Sequence, residues 1–298
     1  MVYLKLVLLL SCFVINNVVA MQGEQQAPTS PTSPAKRQDG VVVLKPFRVQ
    51  LPDKTLGFGF DVGRDMIING FNLQDMVHMY QEIFINKVYD FKTTSKKPLI
   101  IDCGSNIGLS VLGFKYRYPE AEVYAFEPDK DTFALLEHNV TSNYLQDVHL
   151  FNVALDEKKG EMTFYYNKAK RGDTRMSVAI DKLPDVMTVQ VEKLSEMLMT
   201  TLKDCQVDML KMDVEGSEHG ILHDLVRNNL MHQIKEMSIE YHHHMGSDKS
   251  DRLADFLKIL ENNGFGYQFA SWDYDRFNDC GQSQCIMLHA YRKEAIEQ

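Results

Sequence analysis

"LIIDCGSNIGLS" (residues 99–110) decides how this chain is read. A short apolar run, Leu99 to Ile101, stops at Asp102 and falls into a turn carrying Gly104 and Gly108. The continuation "VLGFKYRYP" (111–119) has helical spacing and closes at Tyr118-Pro119. A strand that ends in an acid and a glycine turn, just before a helix, suits a nucleotide-like cofactor at the carboxyl edge of a parallel sheet.

Working outward, strand-like and helix-like segments alternate. "EVYAFEP" (122–128) leads into "DKDTFALLEHNV" (129–140), with Asp129 or Asp131 as the cap. "VHLFNVAL" (148–155) turns through "DEKKGE" into "MTFYYN" (162–167), and "VDMLKMDVEG" (207–216) leads into "SEHGILHDLVRNNL" (217–230). "EMSIEY" (236–241) reaches "SDRLADFLKILENNG" (250–264) through a polar loop, and "YQFASW" and "CIMLHAY" close the chain as an antiparallel pair. Such alternation predicts an α/β fold, a parallel sheet covered on both faces with right-handed crossovers. Before it, residues 41–97 read as a hairpin (41–62) and one amphipathic helix (73–91), a small cap on the main sheet. Residues 167–187 read as a polar, irregular insertion.

The first twenty residues, "MVYLKLVLLLSCFVINNVVA", have one early lysine, an apolar centre and small residues at Val18 and Ala20. That pattern matches a cleavable signal peptide, with an uncleaved anchor of a Golgi-type protein as the alternative. Residues 21–40 are a Pro/Ser/Thr-rich tether. The expected setting is therefore the secretory lumen or outside the cell, with no stable membrane association once the leader is cleaved. There, Cys280 and Cys285, which flank "GQSQ", are expected to form a disulfide. Cys103 and Cys205 fall at opposite ends of parallel strands and read as unpaired core residues. Asn139 begins the glycosylation sequon "NVT". The net charge of -9, with basic residues scattered, leaves no concentrated basic face for nucleic acid.

The glycine spacing narrows the cofactor. G-x-G-x-x-G, needed for close approach to a pyrophosphate, is missing, and so is the Gly-Lys-Ser/Thr of a phosphate loop. The ligand then has a nucleoside and no phosphate. Glu127, ending the second strand, can accept two hydrogen bonds from a ribose diol. Asp102 can attract an ammonium, and a helix start at Asn106 offers N–H groups to a carboxylate. Ribose, ammonium and carboxylate together describe S-adenosylmethionine.

"LIIDCGSNIGLSVLGF", "VYAFEPDKDTFALLEHNV", "LFNVALDEKKGEMTFY" and "VDMLKMDVEGSEHGIL" resemble the FkbM family of S-adenosylmethionine-dependent O-methyltransferases. The likeness runs from about residue 70 to the end and is densest between 98 and 225, which implies that 98–298 is the methyltransferase domain. It implies a class I methyltransferase, a doubly wound seven-stranded sheet of order 3-2-1-4-5-7-6 with strand 7 antiparallel, and hydroxyl acceptors. It also implies that Asp102, Gly104, Asn106 and Gly108 line the methionine end, that Glu127 takes the ribose, and that Pro128, Asp129, Val153 and Ala154 lie near the adenine.

Methyl transfer to an alcohol needs alignment and a base. Asp213, ending the fourth strand beside the transferring methyl, is the expected acceptor-orienting residue or base. Lys211, two residues back on the same side, can bias a neighbouring carboxylate. Glu215 and Glu218 read as helix-start residues. Glu240 and His242 alternate onto one face of the fifth strand, and His242 is a second candidate base. A metal site from His242, Asp213 and Glu240 stays open, and none is assigned. His219 and His223 in "HGILH" lack the glutamate of a zinc-protease motif and read as surface residues. The acceptor is expected to be a small molecule or glycan. The rival is a secreted binding protein that keeps the fold without turnover.

Overall fold

A computed structural model describes residues 19–21, 25–26, 36–38, 41–166, 185–243, 252–270 and 284–293. Most of the leader, the bulk of the 167–187 insertion, and Cys280 lie outside the described residues.

The N-terminal cap starts as an antiparallel meander of β1 (Phe47–Gln50), β2 (Leu56–Gly63) and β3 (Met66–Gly70). One strand more than the sequence predicts is present. Arg64 and Asp65 both take positive φ, 54° and 60°, the two-residue turn that reverses a hairpin, and non-glycine residues conceal such a turn. Parts of the stretch read as a tether also pair: Gln25–Gln26 with β1, and Lys36–Gln38 with Val41–Leu44. Backbone pairing along a sheet edge does not require apolar side chains.

The single helix expected over 73–91 is two pieces. α1 (Leu73–Tyr80), capped by Asn72 Oδ1 on the Gln74 N–H at 2.8 Å, passes into a π-helical stretch, Gln81–Asn86. Lys87, left-handed at φ 59°, ends it. Residues 88–91 then turn back onto the sheet, where Ser238 Oγ donates to the Val88 carbonyl at 2.9 Å.

β4 (Leu99–Cys103) is buried along its whole length, as a central strand of a doubly covered sheet must be. α2 (Leu109–Arg117), β5 (Glu122–Phe126), α3 (Lys130–Ser142) and β6 (Val148–Phe151) follow. β7 (Ala154–Leu155), β8 (Gly160–Tyr166) and β9 (Asp185–Glu192) form a separate three-stranded sheet, so "VHLFNVAL" breaks at Asn152-Val153. β9 is not anticipated from sequence because it begins inside the polar stretch read as an irregular insertion, and its first exposed position is the apolar Val186. The chain continues through α4 (Leu194–Met199), β10 (Val207–Met212), α5 (Glu218–Arg227), β11 (Ile234–His243), α6 (Leu253–Asn262), β12 (Phe265–Phe269) and β13 (Gln284–Arg292).

The main sheet runs β6-β5-β4-β10-β11-β13-β12, which is 3-2-1-4-5-7-6 in its own numbering. Its seventh strand, β13, is antiparallel to both neighbours and the other pairs are parallel. Alternate residues of β4 serve two cores. Ile100 joins α2, α3 and the cap residues Phe60, Ile68 and Met76; Leu99, Ile101 and Cys103 join the α4–α6 side. The cap therefore closes one face of the sheet and has no separate core.

Two expectations need correction, and the sequon left open at Asn139 has a structural setting. Cys205 is exposed in the turn before β10, so only Cys103 is a core residue. Cys285 carries a free thiol, so no disulfide is seen among the described residues. Asn139 is fully buried. Its Nδ2 donates to the Asn69 and Ile107 carbonyls at 2.9 and 2.8 Å, and its Oδ1 accepts the Asn69 N–H at 2.9 Å. The side chain that a glycan would need clamps the cap to α3 instead. Enzymatic deglycosylation is therefore expected to leave the protein's mobility unchanged at this sequon. Asn139→Ala, which strands those partners, is expected to lower unfolding free energy by about 1–3 kcal/mol in a denaturant titration.

Candidate active site

The marked residues gather along the carboxyl edge of β4, β5, β10 and β11. Gly104 (φ 81°) crosses so close to the β10 exit that a Cβ there would lie 1.8 Å from the Asp213 carbonyl oxygen. Only glycine permits that approach. α2 begins at Leu109, three residues later than the sequence predicts, because Gly108 caps it at φ 92° and Asn106 is left-handed at φ 48°. The N–H groups of Asn106 and Ile107 are consequently occupied, by Glu127 Oε2 at 2.9 Å and by Asn106 Oδ1 at 2.6 Å.

Asp102 faces inward and is fully buried. Its Oδ2 accepts the Ser110 hydroxyl at 2.6 Å, and its Oδ1 lies 3.2 Å from Lys211 Nζ. The ammonium it meets is thus the chain's own. Lys211 also donates to the Gly104 carbonyl, stands 3.7 Å from Asp213 Oδ2, and lies over the Tyr89 ring. One buried cation ties the glycine turn to the residue proposed as base.

Glu127 is buried at the end of β5. Besides the Asn106 N–H it accepts the Asp129 N–H at 2.9 Å, and Asp129 caps α3 by accepting the Thr132 N–H at 2.7 Å. Asn152 donates to the Glu127 and Pro128 carbonyls at 2.9 and 3.1 Å. That tie sets Val153 and Ala154 beside the Glu127–Asp129 turn.

The β10–β11 side of the site is more acidic than the sequence suggests. Glu240 and His242 lie on one face of β11, and Cys285 of β13 is paired directly opposite His242. His242 Nδ1 is 2.7 Å from Glu218 Oε1, while its Nε2 is 3.4 Å from Glu215 Oε2 and 3.9 Å from Glu240 Oε1. Glu82 and Tyr89 are residues that sequence reasoning missed, while Glu215 was read only as a helix-start residue and Cys285 only as a disulfide partner. Glu82 and Tyr89 arrive through the π-helical stretch and its turn, and such insertions are enriched at functional sites. His219, read as a surface residue, is half-buried with Nε2 3.1 Å from the Tyr241 hydroxyl, and burial lowers its pKa to about 4.

The Methyltransferase FkbM domain profile matches residues 102–267, more than half of the chain. This chain belongs to the FkbM family of S-adenosylmethionine-dependent methyltransferases. It is 30% identical over 242 residues to Methyltransferase sdnD of Sordaria araneosa, a match covering 67% of this chain and 86% of that one. It is 29% identical over 164 residues to Methyltransferase 1 of Beauveria bassiana, covering 49% of this chain and 66% of the relative, just under two thirds of its length. It is 25% identical over 223 residues to the 31-O-demethyl-FK506 methyltransferase FkbM of Streptomyces tacrolimicus, covering 65% and 83%.

Electrostatics divide the FkbM site in two. On the β4–β5 side, burial pushes Glu127 up to about 8 against two backbone donors that favour its ionised form. Burial alone would lower Lys211, but Asp102 and Asp213 raise it, so it stays charged. On the β10–β11 side, burial and the nearby Asp213 carboxylate push both Glu82 and Glu240 up to about 7. Burial raises Glu215 as well. His242 would be lowered by burial, and Glu215 and Glu218 raise it instead. Carboxylates crowded this closely call for positive charge, which a sulfonium cofactor supplies in part.

Proposed function

We propose that this FkbM methyltransferase transfers the methyl group of S-adenosylmethionine to a hydroxyl of a small-molecule or glycan acceptor. The observation that carries the reading is the position of Asp213. It stands at the exit of β10, 3.7 Å from Lys211 and beside the glycine turn, with the acidic cluster on its other side. Glu127 would hold the ribose diol, with Pro128, Asp129, Val153 and Ala154 around the adenine. The turn from Gly104 to Gly108 would meet the methionine end. Asp102 acts there through Lys211, which it fixes against the Gly104 carbonyl.

Asp213 would orient the acceptor hydroxyl and take up its proton. S-adenosylmethionine, when bound by the residues above, would supply an electrophilic sulfonium methyl for that oxygen. Alignment supplies much of the acceleration. The name of the Streptomyces relative specifies an O-demethyl substrate, which supports oxygen as the acceptor atom.

The leader-like residues 1–20 support action in the secretory lumen or outside the cell. Among the described residues no helix is long and apolar enough to cross a membrane.

Calorimetry with S-adenosylmethionine and its demethylated product, followed by labelled methyl transfer to alcohol-bearing metabolites and lumenal glycans, tests the reading. The expected product is an ether. Asp213→Ala is expected to leave cofactor affinity nearly unchanged and to lower turnover by about 10²–10⁴-fold. Binding without transfer to any hydroxyl would favour a non-catalytic binding protein. Equal loss of binding in Asp213→Ala and Glu127→Ala would reverse the assignment of roles.

A further inference from the structure

We infer that the acidic cluster beside Asp213 is a divalent-cation site centred on His242 Nε2, with a donor set suited to Zn²⁺. Two overlapping triplets meet at this imidazole. In Glu240, His242 and Cys285, the potential ligand atoms lie within 4.8 Å of one another, and the same holds for Asp213, Glu215 and His242.

The spacings agree with coordination. Two ligand atoms each roughly 2.1 Å from an ion at a tetrahedral angle are about 3.4 Å apart. His242 Nε2 lies 3.4 Å from Glu215 Oε2 and 3.9 Å from Glu240 Oε1. The strands enforce the arrangement. Glu240 and His242 are two residues apart on one face of β11, and Cys285 is the direct cross-strand partner of His242. Directly paired residues hold their Cβ atoms about 4.5–5.5 Å apart.

An independent feature lies on the other side of the ring. Glu218, itself fully buried, accepts from His242 Nδ1 at 2.7 Å. A carboxylate bound to Nδ1 fixes the tautomer and turns the Nε2 lone pair into the cluster, as the outer carboxylate of a histidine–metal site does. Nitrogen, carboxylate oxygen and thiol sulfur within one cluster suit a borderline ion such as Zn²⁺ better than Mg²⁺ or Ca²⁺. The ion would also balance the crowded carboxylates. Given the methyl-transfer reading above, it would stand beside Asp213, where an open position can polarise the acceptor hydroxyl.

The test is metal binding by the full chain, measured without cofactor or acceptor. After chelator treatment and dialysis, titration with ZnCl₂ is expected to show one ion per chain, bound more tightly than MgCl₂. Glu218→Gln is expected to weaken Zn²⁺ by about 10–100-fold, and His242→Ala to weaken it further. With CoCl₂, the thiolate-to-cobalt charge-transfer band is expected in the native chain and absent in Cys285→Ser. Cys285 lies on an exposed strand position, so that variant keeps the test open if His242→Ala fails to fold. No stoichiometric Zn²⁺, or an affinity unchanged by Glu218→Gln and Cys285→Ser together, overturns the site. S-adenosylmethionine calorimetry on the same samples separates the two readings: cofactor binding without Zn²⁺ binding removes the metal site alone.

Discussion

Lys211→Met should lower the unfolding free energy by about 3–5 kcal/mol, the range seen when one partner of a buried ion pair is removed. At roughly 2–4 °C per kcal/mol for a domain of this size, the melting point should fall by roughly 6–20 °C. Asp102 has no solvent access and, among the described residues, its carboxylate meets the Ser110 hydroxyl as its one hydrogen-bond partner besides Lys211, so it would be left uncompensated. The Gly104 carbonyl would also lose its donor. Adding Asp102→Asn to Lys211→Met removes the stranded charge and should recover much of the loss. Thermal unfolding of the two single variants and the double variant measures the coupling. A melting point unmoved by Lys211→Met would show that the pair does not hold the turn.

Glu127→Ala should all but abolish S-adenosylmethionine binding. Hydrogen bonds to a charged group contribute about 1.5–3 kcal/mol each, so losing the two proposed from the ribose diol corresponds to roughly 10²–10⁴-fold in Kd. The N–H groups of Asn106 and Asp129 would lose their acceptor as well. Glu127→Gln separates shape from charge through pH. Burial raises the carboxyl from the ordinary 4.5 to about 8, while ribose hydroxyls donate best to the ionised form. Binding then releases a proton below that value, so native affinity should climb as pH rises towards 8 and level off above it. The same shift makes the cofactor-free protein lose stability as pH rises from 4.5 through about 8, since its folded form holds a proton that the unfolded chain has released. Calorimetry at several pH values reads both, and Glu127→Gln should remove this component of the slope. A slope equally steep in Glu127→Gln would place the titrating group elsewhere.

The main sheet was legible because its strands and helices carry strong periodicity and its turns carry glycines. The acidic cluster beside Asp213 was only half legible. Asp213, Glu240 and His242 sit on strand ends, where alternation assigns a face. Glu82 and Tyr89 could not be placed, since an apparently continuous helical pattern hides the π-helical stretch that reorients them. The sequon at Asn139 shows the reverse failure, a local motif overridden by burial.

By itself the sequence determined the alternating order of elements, the family, and the carboxylates that end β4, β5 and β10, because local spacing and turn chemistry specify these. Only the tertiary structure decided what those side chains meet. Lys211 claims Asp102, Asn139 fastens the cap, and β11 and β13 bring Glu240, His242 and Cys285 together. Such meetings depend on strand neighbours far apart in the chain, and no local pattern encodes a pairing between residues 242 and 285.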